Sequence, residues 1–292
     1  MLCPAYHGAT LLALLLNNHA EVSALGDTLP RRSYDQLCSC GQPVSRCAFW
    51  VELDRRIEGD RFLGCPYLVP ILPRLVNGRH LNSACNLSLA GAACIAGPAL
   101  WKIAPVPCGE FAEVVDAFER AVREAHGTSI FVDGHKNLAR ALVLATMTSR
   151  ERPLKLLHLV RDPRGYRNSS RRYRSRTVEV DGRKWRRQHG LILHVAKVLG
   201  RADYLRIRYE DLCIDPHGVM DRVFHFLGVE PQAVVGPPRE EKKYHLMGNR
   251  MLHSFDGTVR LDASWRKHLA VGEQEVTLRI AGSLAQRFGY RV

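Results

Sequence analysis

The chain has 292 residues, 46% of them hydrophobic, which is enough for the core of one large α/β domain or two smaller ones. Its 42 lysines and arginines outnumber 29 aspartates and glutamates and leave a formal charge of +13, so the expected partners are polyanions, anionic cofactors or acidic surfaces. No segment approaches the roughly 20 apolar residues of a membrane-spanning helix, so we expect no transmembrane segment.

Cysteine usage predicts the compartment. The nine cysteines are odd in number and scattered through a chain too large to need disulfide staples, which favours reduced thiols and a cytoplasmic location. The apolar run from Ala9 to Leu16 is short and follows polar residues rather than a charged leader, so it is a poor signal peptide. We expect one domain over residues 1–292.

The first predicted element is the stub of a strand that turns at Pro4 to Gly8 and leads into an apolar helix from about Thr10. A phosphate-binding loop belongs at such a junction, because it needs a glycine, a hydroxyl donor and the N–H groups of a helix start. Gly8 and Thr10 supply the first two. The alternative is an ordinary buried helix.

Asp27 ends the next polar segment and suits either of two roles. It is a candidate solvated loop residue and equally a candidate helix cap. From about Ser33 to Pro107 the chain is rich in Cys, Gly and Pro, which predicts its longest irregular region, with loops and short helices from Phe62 to Pro107.

Short-spaced thiols in this excursion raise the question of zinc, because thiolates are metal ligands. They are Cys38, Cys40 and Cys47, and the remaining candidates for a fourth ligand are Cys65 and His80. Since no fourth ligand is evident nearby, we expect thiols without an essential metal.

The central part of the chain predicts a helix, a strand and a polar turn. An apolar stripe at helical spacing runs from Glu110 to His126, and Ser129–Asp133 reads as a buried strand. His135 and Lys136 follow the strand end, where His135 suits acid–base work and Lys136 suits neutralisation of developing negative charge.

A strand, a tight turn and a helix start are predicted from Lys155 to Arg171. The turn falls at Asp162-Pro163, so Arg161 stands at the carboxyl end of the strand and Ser169 lies about two helical turns further on. A guanidinium and a hydroxyl so placed suit a phosphate, the first as a bidentate donor and the second as a single donor. The alternative is a solvated, arginine-rich surface helix.

From Val178 to Phe288 the sequence predicts one turn, one strand and three helices. They are a turn at Val178–Gly182, a helix at Trp185–Leu199, a strand at Tyr204–Tyr209, a helix near Pro216–Leu227 and a final helix at Glu273–Phe288.

Several of these stretches together resemble sulfotransferases that use 3′-phosphoadenosine 5′-phosphosulfate (PAPS). Arg161-Asp162-Pro163-Arg164 with Asn168-Ser169 is similar to the family's 3′-phosphate motif. Similar matches are Tyr6–Leu12 to Arg-Ser-Gly-Thr-Thr-Leu-Leu, Leu25–Asp27 to Leu-Gly-Glu, Val132–Lys136 to Val-Asp-Ser-Ser-Lys, Arg208–Leu212 to Arg-Tyr-Glu-Asp-Leu, and Tyr244–Met251 with Arg260–Arg266 to the closing loop. Tyr6 departs from the family pattern, which has a cation there.

The resemblance implies roles for individual residues. The implied donor-binding residues are His7, Gly8, Ala9 and Thr10 on the 5′-phosphosulfate, Arg161 and Ser169 on the 3′-phosphate, and Gly248, Asn249 and Arg250 closing over the same end. The implied catalytic residues are Lys136, acting on the breaking bond to sulfur, with Asp27 or His135 as the base. The Arg208–Leu212 run is a marker of the fold.

The resemblance also implies the fold and the reaction. The fold is a P-loop-type α/β domain, a mostly parallel sheet flanked by helices, with the Cys/Gly/Pro-rich excursion on the acceptor side. The reaction is metal-free transfer of a sulfuryl group to a hydroxyl or amine of a small-molecule or glycan acceptor.

Other functions remain as alternatives. A non-catalytic PAPS-binding protein is favoured by the missing loop cation at Tyr6, whereas a kinase lacks the Gly-x-x-x-x-Gly-Lys-Ser/Thr loop. No recognition module accompanies the arginines, so we expect no specific nucleic acid partner. The sequence identifies neither the acceptor nor the oligomeric state.

Overall fold

The computed structural model describes residues 1–27, 37–56, 109–136, 138, 141, 144–145, 153–200, 203–242, 244–246 and 248–291. The sequence after Lys136 predicts a helix through about Ser149, and most of it lies outside these residues. So does most of the Cys/Gly/Pro-rich excursion, including Cys65 and His80.

Two pairs of parallel strands organise the part of the chain that the structure describes. In the first pair, β1 (Val22–Ser23) lies beside β2 (Ile130–Phe131), with Val22 opposite Ile130. In the second, β3 (Leu156–Val160) lies beside β4 (Tyr204–Arg208), with Leu156 opposite Tyr204. β2, β3 and β4 fall where the sequence predicts strands, whereas β1 was not predicted.

The N-terminal residues stand between the two pairs. The N–H of Leu2 donates to the carbonyl of Leu157 at 2.8 Å, and its own carbonyl accepts from Leu159 at 3.1 Å. On the other side, the Met1 amine donates to the carbonyl of Asp133 at 2.6 Å. Because the paired strands run parallel, the segments that follow them emerge at one edge, where ligands bind in open α/β sheets.

Helices account for most of the described residues outside the strands. The helices whose bounds the described residues define are α1 (Ala9–Asn17), α2 (Ala48–Arg56), α3 (Gly109–His126), α4 (Pro163–Ser170), α5 (Val178–Leu199), α6 (Tyr209–Ile214), α7 (Pro216–Leu227), α8 (Met251–Ser254), α9 (Trp265–His268) and α10 (Val271–Arg287). Within this described part, no helix combines the length and apolar character that a bilayer span requires.

Side-chain alternation along β3 places helices on both faces of the sheet. Leu157 and Leu159 pack in the core cluster that includes α1 and α7. Val160, on the opposite face, packs against Trp185 of α5 and Phe288, which caps α10. Successive residues of a strand point to opposite faces, so one strand serves two cores. The α/β fold class is confirmed.

The predicted turn at Val178–Gly182 is wrong, because these residues form the first turn of α5. Thr177 caps the helix, with its hydroxyl accepting from the N–H of Val180 at 3.4 Å. The carboxylate of Asp181 is buried and accepts from Arg167 Nη1 at 2.9 Å. Asp181-Gly182 indicates a turn in the sequence, but in the structure Asp181 lies in a helix and forms a buried ion pair.

A chain of three buried histidines ties the loop before α1 to the sheet and to α5. His7 Nε2 lies 2.9 Å from His189 Nε2, and His189 Nδ1 lies 2.8 Å from His158 Nε2. The chain ends where His158 Nδ1 lies 2.8 Å from the hydroxyl of Tyr204. The three rings are almost wholly buried.

One tautomer assignment satisfies every ring when all three histidines are neutral. His7 Nδ1–H donates to the carbonyl of Ala5 at 2.8 Å, so His7 Nε2 accepts from His189, His189 accepts from His158, and His158 accepts from Tyr204. Burial lowers the pKa of His7 to about 3 and holds those of His158 and His189 well below the usual value. The loop residue is thus a neutral, fixed acceptor.

We predict that His189→Phe lowers the free energy of unfolding by about 2 kcal/mol or more near neutral pH, because it leaves buried nitrogens of His7 and His158 unpaired. Below about pH 6.5 the unfolded chain takes up protons on these three histidines while the folded chain keeps them neutral, so their contribution to stability falls with falling pH. The variant has one fewer such histidine. The difference between its free energy of unfolding and that of wild type should therefore be smaller at low pH than near neutral pH.

Denaturant unfolding at about pH 7.5 and about pH 5.5 measures both effects. His194→Phe is the matched control, since His194 is exposed on the same helix. An unchanged free energy of unfolding in His189→Phe at both pH values would contradict the prediction.

Candidate functional site

The loop before α1 ends at a helix N-terminus that is open to an anion. Gly8 precedes the helix with φ of 87°, and no side chain caps it. The first helical hydrogen bond runs from the N–H of Leu12 to the carbonyl of Gly8 at 3.1 Å. The N–H groups of Ala9, Thr10 and Leu11 therefore have no acceptor within the helix, which is the usual arrangement of a phosphate-binding helix start.

Gly8 also permits a close contact with the segment after β4. A Cβ at this position would collide with the ring of Tyr209. Tyr209 belongs to the Arg208–Leu212 run, so this run positions the loop as well as marking the fold. Both the positive φ and the close approach require glycine.

Tyr6 replaces the cation that the family has in this loop. Its ring stacks on Tyr173, with centroids 5.8 Å apart and planes 5° apart. Its φ is 66°, which is uncommon for a residue with a side chain. Its carbonyl oxygen accepts from Arg161 Nη1 at 3.0 Å. The loop is thus connected to a cation through its backbone.

Arg161 and Ser169 are brought together as the sequence predicts. Arg161 Nη1 donates to Ser169 Oγ at 3.2 Å, and Arg161 Nη2 donates to the carbonyl and carboxylate oxygens of Asp262 at 3.1 and 2.9 Å. With the bond to Tyr6, these contacts use all four Nη protons of the five N–H donors of the guanidinium. The Nε–H is buried without a hydrogen-bond partner among the described residues.

Asp262 is therefore the anion that now compensates Arg161. Burial favours a raised pKa for this carboxyl, but hydrogen bonds from Ser264 and Arg161 outweigh it and lower the pKa to about 2. The Asp262 side chain is 37% exposed, whereas that of Arg161 is 7% exposed. A phosphate that approaches Arg161 from solvent meets this carboxylate first.

The turn that aims Arg161 is held by its neighbours. The carboxylate of Asp162 accepts from the N–H of Arg164 at 2.8 Å and caps α4. Glu210 accepts from the N–H of Asp162 at 2.9 Å. The guanidinium of Arg164 lies 4.1 Å from the centre of the Trp265 ring. The segment from Asp262 to Trp265 is thus bound to the start of α4.

Asp27 and Lys136 meet at the ends of β1 and β2. Lys136 Nζ lies 3.4 Å from Asp27 Oδ2, and Asp27 Oδ1 is buried without a hydrogen-bond partner among the described residues. Gly134 permits this meeting, because a Cβ there would collide with the carbonyl of Gly26. The site contains a carboxylate oxygen suited to accept a proton beside an ammonium group.

His135 is placed differently from Lys136. Its side chain is buried and lines a cavity of about 530 Å³ that also borders both residues of β2, Val132 and Asp133 after it, and the start of β3. Asp27, Lys136 and Arg161 are not among the lining residues. This cavity lies away from the helix starts that suit phosphate, so we do not assign the donor to it.

The predicted closing residues lie at the surface. Gly248, Asn249 and Arg250 are exposed, and Arg250 caps α8, which packs against α1. None of the three is among the hydrogen-bond partners of Arg161 in the described part of the chain. Their role at the donor's 3′ end stays a prediction.

Sequence reasoning missed Tyr209, Asp262, His158 and His189 as site-building residues. Asp262 lies 101 residues after Arg161, and His189 lies 182 residues after His7. Local spacing carries no signal for such pairs. The family-like runs around Tyr209 and Asp262 were the available signal.

Comparisons with known proteins agree with this geometry. No curated protein matches the chain. Residues 116–233 match the profile of the sulfotransferase family. The sulfotransferase domain from the Synechococcus PCC 7002 olefin synthase is 21% identical, with a TM-score of 0.57 over 100% of this chain and 94% of that one. Sulfotransferase STF9 from Mycobacterium avium is 13% identical, with a TM-score of 0.50 over 100% and 76%.

The structural likenesses show the fold, and the profile match covers the segment that contains Lys136, Arg161 and Ser169. Both agree with the motif resemblance: residues 116–233 are similar to the sulfotransferase family, and the fold is similar to that of sulfotransferase domains.

Proposed function

We propose that the chain is a sulfotransferase that moves a sulfuryl group from PAPS to a hydroxyl or amine of an acceptor, a carbohydrate being one candidate. The observation that carries the proposal is the guanidinium of Arg161. Its Nη1 contacts both Ser169 Oγ at 3.2 Å and the carbonyl of Tyr6 at 3.0 Å. One cation thus joins the predicted 3′-phosphate pair to the predicted phosphosulfate loop, as a donor with both groups requires.

The proposed chemistry is an in-line displacement at sulfur. The acceptor oxygen attacks the sulfur atom, the bond from sulfur to the 5′-phosphate oxygen breaks, and its electron pair leaves with 3′-phosphoadenosine 5′-phosphate. Asp27 Oδ1 takes the acceptor proton. Lys136 and the N–H groups from Gly8 to Thr10 stabilise the charge on the leaving group. His135 remains the second candidate base.

Turnover with a labelled donor tests the function directly. The chain is incubated with PAPS and with carbohydrate, phenol, lipid and peptide acceptors, and label transfer is measured. Transfer to one class supports the proposal and names the acceptor. Tight PAPS binding with no transfer to any class would contradict it and would favour a non-catalytic binding protein.

Arg161→Ala should weaken binding of 3′-phosphoadenosine 5′-phosphate about 10- to 100-fold, because hydrogen bonds to a charged group contribute about 1.5–3 kcal/mol. Binding of adenosine 5′-phosphate, which lacks the 3′-phosphate, should fall much less, by the part that Arg161 contributes through the Tyr6 carbonyl. Calorimetry measures both. Arg186→Ala removes the same charge from an exposed position and is the control. Equal losses for the two ligands would refute the assignment.

Asp262→Asn should tighten binding of 3′-phosphoadenosine 5′-phosphate several-fold, because the carboxylate competes with the phosphate for Arg161 and repels it. The gain should disappear in an Arg161→Ala background. Asp256→Asn removes an exposed acid of the same charge and is the control. Weaker binding in Asp262→Asn would instead mean that Asp262 orients Arg161 for the ligand.

Lys136→Met should depress kcat and kcat/KM together while lowering product affinity much less, since the lysine acts mainly on the charge that develops as the bond to sulfur breaks. The measurements are steady-state turnover and product affinity by calorimetry. Lys197→Met, at an exposed position on α5, is the control. A Lys136→Met protein with unchanged kcat would remove Lys136 from the mechanism.

A further inference from the structure

Three thiols from the start of the Cys/Gly/Pro-rich excursion converge on one point. The Sγ atoms of Cys38, Cys40 and Cys47 all lie within 4.8 Å of one another, and those of Cys40 and Cys47 are 3.6 Å apart. Sulfurs on one tetrahedral zinc ion are about 3.8 Å apart, given a Zn–S distance of about 2.3 Å. The three sulfurs are therefore spaced as one ion needs, after only small adjustments.

The backbone around these thiols forms a compact turn that aims them together. Leu37 and Pro43 pair as in an antiparallel hairpin, and the N–H of Cys38 donates to the carbonyl of Gln42 at 2.9 Å. The N–H of Cys47 donates to the carbonyl of Pro43 at 2.9 Å, just before α2. Two thiols thus come from the hairpin, and the third comes from the entry to a helix.

We propose that Cys38, Cys40 and Cys47 bind one zinc ion. Cys38 and Cys47 are buried in an apolar cluster with Trp50, while Cys40 is exposed, so the ion would lie at the edge of this cluster on the Cys40 side. Among the described residues, no further His, Cys, Asp or Glu joins the three thiols, and three thiolates select soft or borderline metals. The sequence predicts no metal because no fourth ligand is evident nearby.

The ion would stabilise a connection to the segment that leads into Gly248–Arg250. Ser39, between two of the thiols, exchanges hydrogen bonds with His245: its N–H donates to the His245 carbonyl at 2.9 Å, and its Oγ accepts from the His245 N–H at 2.8 Å. Phe49 of α2 stacks on Tyr244 with centroids 4.3 Å apart. Holding the hairpin on α2 therefore also holds residues 244–246.

The test is metal content, which is independent of sulfuryl transfer. The full chain, purified without a metal-binding tag or chelator under reducing conditions, should contain about one zinc per chain by elemental analysis. Cys40→Ala changes an exposed residue and should lower zinc affinity by more than about 100-fold, beyond the loss expected for an outer-shell partner. Cys213→Ala, a cysteine of α6 outside the cluster, should retain the metal.

Cobalt substitution gives a second readout. Cobalt(II) in place of zinc should show thiolate-to-metal charge-transfer absorption and the visible bands of tetrahedral cobalt, and both should be lost in Cys40→Ala. Three results would overturn the proposal: wild-type protein that takes up no zinc when reconstituted, Cys40→Ala protein that keeps it, or a Cys40–Cys47 disulfide in the protein purified under reducing conditions.

Discussion

The buried positive charge of Arg161 is the constraint on which the rest of the site depends. A charge with so little access to water must be compensated by neighbouring acceptors. The Tyr6 carbonyl, Ser169 and Asp262 supply them, and the ring of Tyr209 lies 4.5 Å from the guanidinium. Each acceptor comes from a different segment, so one cation fixes three segments and a strand end. In the proposed function, phosphate binding at Arg161 exchanges the Asp262 carboxylate for the phosphate of the donor.

Two close backbone approaches set the rest of the geometry. At Gly8 the loop touches the ring of Tyr209, and at Gly134 the segment after β2 touches the backbone of Gly26. The first fixes the helix start that we propose for the donor, and the second brings Asp27 to Lys136. Neither approach tolerates a Cβ, so in this chain Gly134 takes the place of a family serine for a steric reason. These two contacts therefore set the positions of the charged groups in the site.

The sequence predicted what is local and missed what is distant. A short apolar run predicted β3, alternation predicted β4, and Arg161 and Ser169, both predicted to bind one phosphate, lie 3.2 Å apart. The partner of Arg161, Asp262, is set by packing between remote segments, which periodicity does not encode. The start of α5 was predicted wrongly for a related reason. Asp181 forms an ion pair with Arg167 in the tertiary structure and does not form a local turn.

Several basic residues near the loop before α1 are paired with acids or held neutral in the described part of the chain. Arg164 is paired with Asp162, Arg167 with Asp181, His7 is held neutral, and Lys136 faces Asp27. In the proposed reaction, the pairing of Asp27 with Lys136 links removal of the acceptor proton to stabilisation of the leaving group. When Asp27 takes the acceptor proton it loses its negative charge, so its attraction for Lys136 weakens. The full ammonium charge then acts on the leaving oxygen at the moment when negative charge develops there.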